Sequence, residues 1–172
     1  MALVWLVMAF RTKPTLTRQG GTLRFWAVLV VAALVVIPWL QGASLHRLLW
    51  SPSLVVSTLA LLMVAGGVAF GVWARFTIGA NWSGAVTFKV DHELVQSGPY
   101  HYVRHPIYSA LLLMALGTAL DYAQLFGFIV LGMATLVLVV KMRFEEKLMT
   151  EHFAEQYDEY RRHVKALIPF IV

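Results

Sequence analysis

Cysteine is absent from the 172 residues, and charged side chains are scarce, at 13% of the chain. Without cysteine there is no disulfide, no thiolate metal site, no cysteine nucleophile and no palmitoyl anchor. An average soluble domain is about a quarter charged, and 59% of this chain is hydrophobic. A soluble fold of this size could not bury that much apolar surface. A cytosolic globular enzyme and a disordered chain are therefore excluded, and a single integral membrane domain over residues 1–172 is expected.

Three apolar runs predict the spans of an all-α, multispanning helical bundle: residues 25–40, 53–73 and 107–140. A crossing needs about 20 apolar residues. The third run would be about 51 Å long as one helix, so we expect two short helices that turn at Asp121 and Tyr122. This makes four full spans. Residues 1–10 are apolar but too short to cross, and we expect half a helix or an interfacial segment there, rather than a removable signal peptide.

The distribution of basic residues predicts the orientation in the membrane. If the loop 41–52 and the turn at Asp121 face outward, Arg47 is the only one of the 14 Lys and Arg residues on that side. The others lie in segments 11–24, 75–104 and 141–165, which favours a cytoplasmic position for all three. We therefore expect the two long polar segments to meet on the cytoplasmic face. This topology accounts for the net charge of +5 without a nucleic-acid partner.

Helical spacing continues beyond the last span. From Lys141 onward the chain is polar, and an apolar stripe recurs at steps of three and four residues: Met149, Phe153, Tyr157, Tyr160, Val164 and Leu167. This pattern predicts an amphipathic, cytoplasmic C-terminal helix that lies on the membrane or against the core. Within the second span, Gly67 and Gly71 form a GxxxG step, which predicts close helix packing.

The segment from residue 91 to residue 108 is the most informative polar stretch. Gly98 and Pro99 predict a turn. Pro106 disfavours helix at His105 and suits the first turn of the helix that follows, so His105 is expected at a helix entrance near the membrane surface. His101 and His105 are four residues apart, but Pro106 breaks the helix that would align them, and no HExxH motif accompanies them. No metal site is expected, and no GxGxxG, GxxxxGK[ST] or GxSxG motif is present.

Five motifs follow one another in the second half of the chain: Leu94-Val95, Gly98-Pro99-Tyr100, Arg104-His105-Pro106-Ile107-Tyr108, Glu145-Glu146 and Tyr157-Asp158-Glu159-Tyr160. This ordered combination, over residues 75–170, resembles the isoprenylcysteine carboxyl methyltransferase family. The wider group includes phospholipid N-methyltransferases with a related RHPxY signature. The resemblance implies a small multispanning enzyme that uses S-adenosylmethionine near the cytosolic face. It also implies a lipid substrate that enters between helices.

Carried over by position, the resemblance implies a cofactor pocket built by His92, Leu94, Val95, Gly98, Pro99, Tyr100, His105, Pro106, Tyr108 and Glu146. It implies catalytic, substrate-side cations at Arg104 and at Arg143 or Lys141. Lys141 stands where eukaryotic members carry an arginine that would meet the substrate carboxylate. Since lysine cannot fork onto a carboxylate as arginine does, this departure bears on the substrate more than on the cofactor.

The expected reaction places few demands on acid–base chemistry. A carboxylate acceptor is already ionised at pH 7, so the protein has to orient the reactants and exclude water. Glu146 would hold amino or ribose groups of the cofactor, and Tyr100 or Tyr108 would face its adenine or its sulfonium. An amine acceptor would need a base, for which Glu145 or His105 is the candidate.

Several readings of the function stay open at the level of sequence. The leading one is a methyltransferase acting on the carboxylate of an isoprenylcysteine-like or other lipophilic acceptor. The alternatives are a phospholipid amine or small-thiol methyltransferase, an NADPH-dependent protein similar to sterol reductases, and a non-catalytic membrane protein. The expected partners are membrane lipids and a substrate from the bilayer. The expected location is a prokaryotic plasma membrane, crossed several times, with the site facing the cytoplasm.

Overall fold

The computed structural model describes residues 15–19, 27–28, 30–35, 45–51, 53–82, 86–89 and 93–169. Its long helices are α1 (Leu54–Ile78), α2 (Pro106–Tyr122) and α3 (Leu125–His163), with short 3₁₀ helices at Gly79–Asn81 and Gly98–His101. Strands β1 (Thr15–Gln19) and β2 (Val86–Lys89) pair antiparallel, a ribbon that the all-α prediction did not include. Residues 30–35 are helical. Residues 27–28 of the predicted span 25–40 are helical as well. The predicted segment 1–10 and the remaining residues of that span lie outside the described residues.

Two helices of the described part are long and apolar enough to cross a membrane, Leu54–Asn81 and Leu125–His163, and α2 is a shorter apolar helix of 17 residues. Four spans are therefore not reproduced among the described residues. The apolar side chains of α1 point largely outward, as at Leu54, Leu61 and Leu62, which are 85%, 67% and 63% exposed. A water-soluble protein rarely exposes an apolar surface of this extent. The chain is an integral membrane protein.

Helices α1 and α2 pack closely through glycine. A Cβ atom on Gly67 would lie 2.9 Å from the carbonyl oxygen of Ala110 in α2, and one on Gly117 would lie 2.8 Å from the carbonyl oxygen of Ala60 in α1. Only residues without a side chain allow the two backbones to approach this far. The close packing predicted from the GxxxG step is confirmed at Gly67.

The predicted helical hairpin is present, with its turn slightly further along the chain than expected. Asp121 and Tyr122 are the last residues of α2, and the chain reverses at Ala123, which adopts a left-handed conformation (φ 52°), and Gln124. The loop before α1 closes over this turn. The backbone N–H of Leu49 donates to the Ala123 carbonyl at 2.7 Å, so the two loops predicted on one side of the membrane lie together.

Helix α3 continues from the last span into the polar C-terminal region, without a break until Ala154. Its 39 residues are about 58 Å long, whereas the hydrocarbon core is about 30 Å thick. The apolar part 125–140 is therefore the membrane-spanning part, and the helix beyond Lys141 lies outside it. Ala154 alone departs from helical geometry (φ 41°, ψ −117°) and marks a kink.

The predicted amphipathic stripe is only partly helical. Tyr157 and Tyr160 are buried on the packed face of α3, as the spacing predicted. The helix ends at His163, however, and Val164 and Leu167 belong to a non-helical tail. The helical prediction for these two residues was wrong, because the tail forms hydrogen bonds with the segment before α2 in place of a further helical turn.

Candidate functional site

A cavity of about 270 Å³ lies between the C-terminal end of α1, the start of α2 and the part of α3 just beyond the bilayer. Nine of the predicted site residues line it: Leu94, Val95, Tyr100, Arg104, His105, Pro106, Tyr108, Lys141 and Glu145. Pro106 is the first residue of α2 and His105 its N-cap, as the sequence predicted. The turn at Pro106 thus places His105 and Arg104 across from α3. The two long polar segments meet in space, as expected.

Four predicted residues lie near the cavity without lining it. Gly98, at φ +58°, starts the 3₁₀ turn that positions Tyr100, and Pro99 is buried behind it. Glu146 lies behind the wall, where it binds two of the lining residues. Arg143 is exposed, because it follows Lys141 by two helical positions and so points away from the cavity. The predicted cofactor residue His92 lies outside the described residues.

Glu146, on α3, binds two residues of the Arg104-His105-Pro106 motif. Its Oε1 atom accepts from Nε and Nη2 of Arg104, at 2.9 and 2.6 Å, and lies 3.2 Å from Nε2 of His105. Partial burial alone would raise the Glu146 pKa. The hydrogen bonds from His105 and Arg104, with the charge of Arg104, outweigh burial and lower that pKa to about 2. Glu146 is therefore an anion at neutral pH.

A second carboxylate faces the cavity itself. The Tyr108 hydroxyl lies 2.7 Å from each carboxylate oxygen of Glu145 and donates to this group. Lys141 Nζ lies 3.6 Å from Glu145 Oε1 and 5.3 Å from the centre of the Tyr108 ring. His105 stacks on Tyr108 in parallel, with 5.3 Å between ring centres, and its Nδ1 is 3.8 Å from Glu145 Oε2. His105 thus stands between the two carboxylates.

The tail after α3 closes one side of this cluster. The backbone N–H groups of Arg104 and His105 donate to the carbonyls of Lys165 and Ala166, at 2.8 and 3.0 Å. The Ser109 hydroxyl donates to the Leu167 carbonyl at 2.6 Å. Arg104 Nη1 donates to two more carbonyls, that of Val164 at 2.5 Å and that of Arg161 at 3.4 Å. The guanidinium of Arg104 is thereby held on one side by Glu146 and on the other by the tail.

Tyrosines form the wall near the 3₁₀ turn. Tyr100 is buried, and burial raises its pKa, so its phenol stays neutral at neutral pH. The Tyr160 hydroxyl donates to the Tyr100 carbonyl at 2.5 Å, which ties α3 to this turn. Tyr157 and Tyr160 line the cavity. The spacing of the stripe predicted them as packing residues, and the structure gives them a place in the site as well.

The sequence analysis missed several lining residues, among them Ile78, Asn81, Trp82, Glu93, Leu148 and Met149. Asn81 and Trp82 follow directly after the apolar run of α1, and an amide beside an indole at the end of a span was an available signal. Glu93 lies next to the recognised Leu94-Val95 pair. The structure adds the end of α1 as a third wall of the site.

Comparison with known proteins assigns the chain to a family. A model of the phospholipid methyltransferase family matches residues 55–156. The chain belongs to the phospholipid methyltransferase family. Within this group, the chain is 32% identical over 126 residues to the protein-S-isoprenylcysteine O-methyltransferase of Saccharomyces cerevisiae, covering 67% of the chain and 49% of the yeast protein. It is 30% identical over 174 residues to the Homo sapiens protein of that name, covering 97% of the chain and 60% of the human protein. The resemblance to isoprenylcysteine methyltransferases is confirmed.

The fold is also that of a solved member of the group. The structure of a eukaryotic intramembrane Ras methyltransferase, isoprenylcysteine carboxyl methyltransferase, matches with a TM-score of 0.63 at 23% identity, over 89% of this chain and 55% of that one. This likeness shows the fold. The chain spans about half to three fifths of the length of these relatives.

Proposed function

We propose that this family member transfers a methyl group from S-adenosylmethionine to a lipophilic acceptor at the membrane surface. One observation carries the proposal. Residues 104–108 and 141–146, far apart in sequence, converge around one cavity at the polar end of the spanning helices. The names of the relatives support this type of reaction, and the cavity supports a site for it at the membrane surface.

The walls of the cavity fit such a donor. Leu94, Val95, Trp82 and Tyr100 provide apolar and aromatic surface, while Glu93 and Glu145 provide carboxylates. The first group suits a purine, and carboxylates suit ribose hydroxyls and positive charge. When bound, S-adenosylmethionine supplies an electrophilic methyl group. The protein would orient it through these walls and through Arg104 and His105, which Glu146 holds in place.

The acceptor is proposed to come from the bilayer and to end beside Lys141. Ile107 and Leu111 are one turn apart on α2, and Leu138 lies one turn before Lys141 on α3; all three line the cavity. Leu111 is also 38% exposed on the outside of the bundle. This apolar wall favours a lipid chain that enters between α2 and α3, with its carboxylate directed to the Lys141 ammonium. Because a carboxylate is ionised at neutral pH, the methyl transfer would need no base.

The cluster around Glu145 favours a second candidate, a phospholipid amine. An ammonium must lose a proton before it can accept a methyl group, and Glu145 is a carboxylate that lines the cavity next to Lys141. Tyr108 and Lys141 hold it in place. Under this alternative Glu145 acts as the base. For a carboxylate acceptor, Glu145 would only attract the positive charge of the donor.

The proposed site faces the cytoplasm, because the basic segments that form it are those expected inside. The deciding experiment is transfer of a labelled methyl group from S-adenosylmethionine by the purified chain in lipid nanodiscs. The acceptor panel contains a farnesylated cysteine, phosphatidylethanolamine and a simple thiol. We expect label on the farnesylated cysteine, as a base-labile ester. Base-stable label on phosphatidylethanolamine would establish the alternative, and no label on any acceptor would contradict the proposal.

A further inference from the structure

The end of α1 carries a buried amide that the proposed reaction has not yet used. Asn81 is 7% exposed and lines the cavity, and its Oδ1 atom has no hydrogen-bond partner within the part of the chain that the structure describes. Folded proteins seldom leave a buried polar atom unsatisfied. A molecule bound in the cavity that Asn81 lines can supply the missing partner.

The surroundings of Asn81 hold it in this position. Arg75 is fully buried, and its Nη1 donates to the Gly79 carbonyl at 2.8 Å. Its guanidinium lies over the Trp82 ring, 4.6 Å from the ring centre. Gly79 itself adopts φ +55°, a conformation that suits glycine. The turn is thus fixed on both sides of Asn81, and the backbone that carries the amide is positioned before any ligand arrives.

The chemistry of an amide selects the kind of group it can bind. An asparagine side chain offers one acceptor and two donor hydrogens. The edge of adenine offers the complement, an exocyclic amine beside a ring nitrogen, and asparagine pairs with it in this way in nucleic-acid recognition. Trp82, Tyr100 and Leu94 line the same cavity and supply flat and apolar surface for a purine. The carboxylate of Glu145 stands on a different helix, and it suits the positive charge of the donor.

We propose that Asn81 is the adenine-recognition residue of the methyl donor site, accepting from the exocyclic amine and donating to N7, the ring nitrogen on the same edge. This assignment rests on the proposed function, and it names a residue that the sequence motifs did not include.

The test compares two ligands that differ at the purine, S-adenosylhomocysteine and S-inosylhomocysteine, by calorimetry with the full chain in detergent micelles. In inosine a carbonyl oxygen replaces the exocyclic amine. For the wild-type chain we expect S-adenosylhomocysteine to bind about 10-fold more tightly, since the inosine analogue would leave a buried acceptor without its partner. In Asn81→Ala we expect about 10-fold weaker binding of the adenosyl ligand and a loss of most of the preference.

Two controls separate recognition from folding. Gln124→Ala removes an amide at the opposite end of the helices, where Gln124 Oε1 lies 3.1 Å from His46 Nδ1, and it should keep the wild-type preference. Asn81→Asp serves if Asn81→Ala does not fold; it preserves size and an acceptor but cannot donate, and it should also lose affinity for the adenosyl ligand.

The outcomes are distinct. If Asn81→Ala folds and keeps the full preference for adenine, the assignment is overturned. Wild-type affinity of Asn81→Asp for S-adenosylhomocysteine overturns it as well. So does an unchanged Kd for S-adenosylhomocysteine together with a raised KM for the acceptor, which would place Asn81 beside the acceptor. A wild-type chain that binds neither ligand would contradict the proposed function itself, and the Asn81 assignment with it.

Discussion

Two cations line the cavity, and their partners differ. Arg104 is held by the Glu146 carboxylate, by the Arg161 carbonyl at the end of α3 and by the Val164 carbonyl in the tail. Its structural task is therefore to join the segment before α2 to α3 and to the tail. Lys141 projects from α3 toward Glu145 and the Tyr108 ring. The proposed acceptor carboxylate is therefore assigned to Lys141, and Arg104 is assigned to positioning.

The first prediction separates Lys141 from Arg143. We expect Lys141→Ala to lower kcat/KM for a farnesylated cysteine about 10- to 100-fold, because a charged hydrogen bond to the acceptor is lost. S-adenosylhomocysteine should still bind with nearly unchanged affinity. Arg143→Ala removes an exposed side chain two residues away, and it should lower kcat/KM by about twofold or less. Steady-state kinetics in nanodiscs measure both, and a larger loss in Arg143→Ala would reverse the assignment.

The second prediction concerns the pH dependence that Glu146 confers. The pKa of this carboxyl is about 2 in the folded chain against an ordinary value of 4.5. A lowered pKa contributes stability that is complete above 4.5 and is lost as the pH falls toward about 2. Thermal unfolding in detergent should show this loss in the wild type and much less of it in Glu146→Gln.

Glu155→Gln is the matched control, since Glu155 is an exposed carboxylate on the same helix, and its acid profile should follow the wild type. Because Arg104 and His105 lose their anchor, Glu146→Gln should also bind S-adenosylhomocysteine more weakly at neutral pH. Equal affinity in Glu146→Gln and the wild type would remove Glu146 from the support of the donor site.

At the scale of elements, the tail is a structural part of the site. Ser109, on the first turns of α2, reaches the Leu167 carbonyl at 2.6 Å, and Ala166 packs in a buried cluster with Tyr108 and Met142. We expect Ser109→Ala to lower the free energy of unfolding by about 1 kcal/mol, the usual net value of such a hydrogen bond.

Thr118→Ala on the same helix provides the comparison. Thr118 Oγ1 bonds only to the Met114 carbonyl within α2, at 2.9 Å, among the contacts that the structure describes, so the change should be close to neutral. Equilibrium unfolding in mixed detergent micelles gives both values. If the two variants unfold alike, the tail does not stabilise the start of α2.

The α1–α2 contact gives the next prediction. Gly117→Ala would place a Cβ 2.8 Å from the Ala60 carbonyl oxygen, so we expect a loss of about 1–3 kcal/mol from overpacking. Gly66→Ala, where a Cβ meets nothing within 4 Å, should be neutral or slightly stabilising. Unfolding of both variants in the same detergent tests this, and equal stability would mean that the helices approach less closely.

The long elements were predictable because they rest on local signals. The apolar run predicted α1, and Pro106 predicted the start of α2. The tail was not predictable, because Val164 and Leu167 continue the helical spacing while their backbone pairs with a segment about 60 residues earlier. The pairing of β1 with β2 is likewise non-local. Patterns along the chain report neighbours three or four residues apart, and contacts of this kind lie outside their reach.

The sequence motifs identified most of the candidate site residues, and the structure shows in which direction each side chain points. Glu145 and Glu146 are adjacent and chemically alike, yet one faces the cavity and the other binds Arg104 from behind. That difference follows from about 100° of helical rotation between them and from the placement of α2. Asn81 has no motif of its own, and only its burial at the cavity wall reveals it.

At the scale of the whole molecule, the proposed orientation in the membrane rests on the distribution of charge. The absence of cysteine permits a direct test, because a single introduced cysteine has no background. In intact cells, a membrane-impermeant maleimide should label Arg47→Cys and leave Glu155→Cys unlabelled until the membrane is opened. Both positions are exposed. If Glu155→Cys alone is labelled in intact cells, the orientation is the reverse of the one proposed.

One further consequence follows from the unbroken run of α3 out of the membrane. Its apolar part, residues 125–140, is about 24 Å long, shorter than a typical hydrocarbon core of about 30 Å. Lys141 and Glu145 follow directly on the same helix. In a thicker bilayer they would therefore lie closer to the hydrocarbon core, unless the bilayer thins locally around them. The acyl-chain length of the host lipids therefore affects the depth at which Lys141 and Glu145 lie in the membrane.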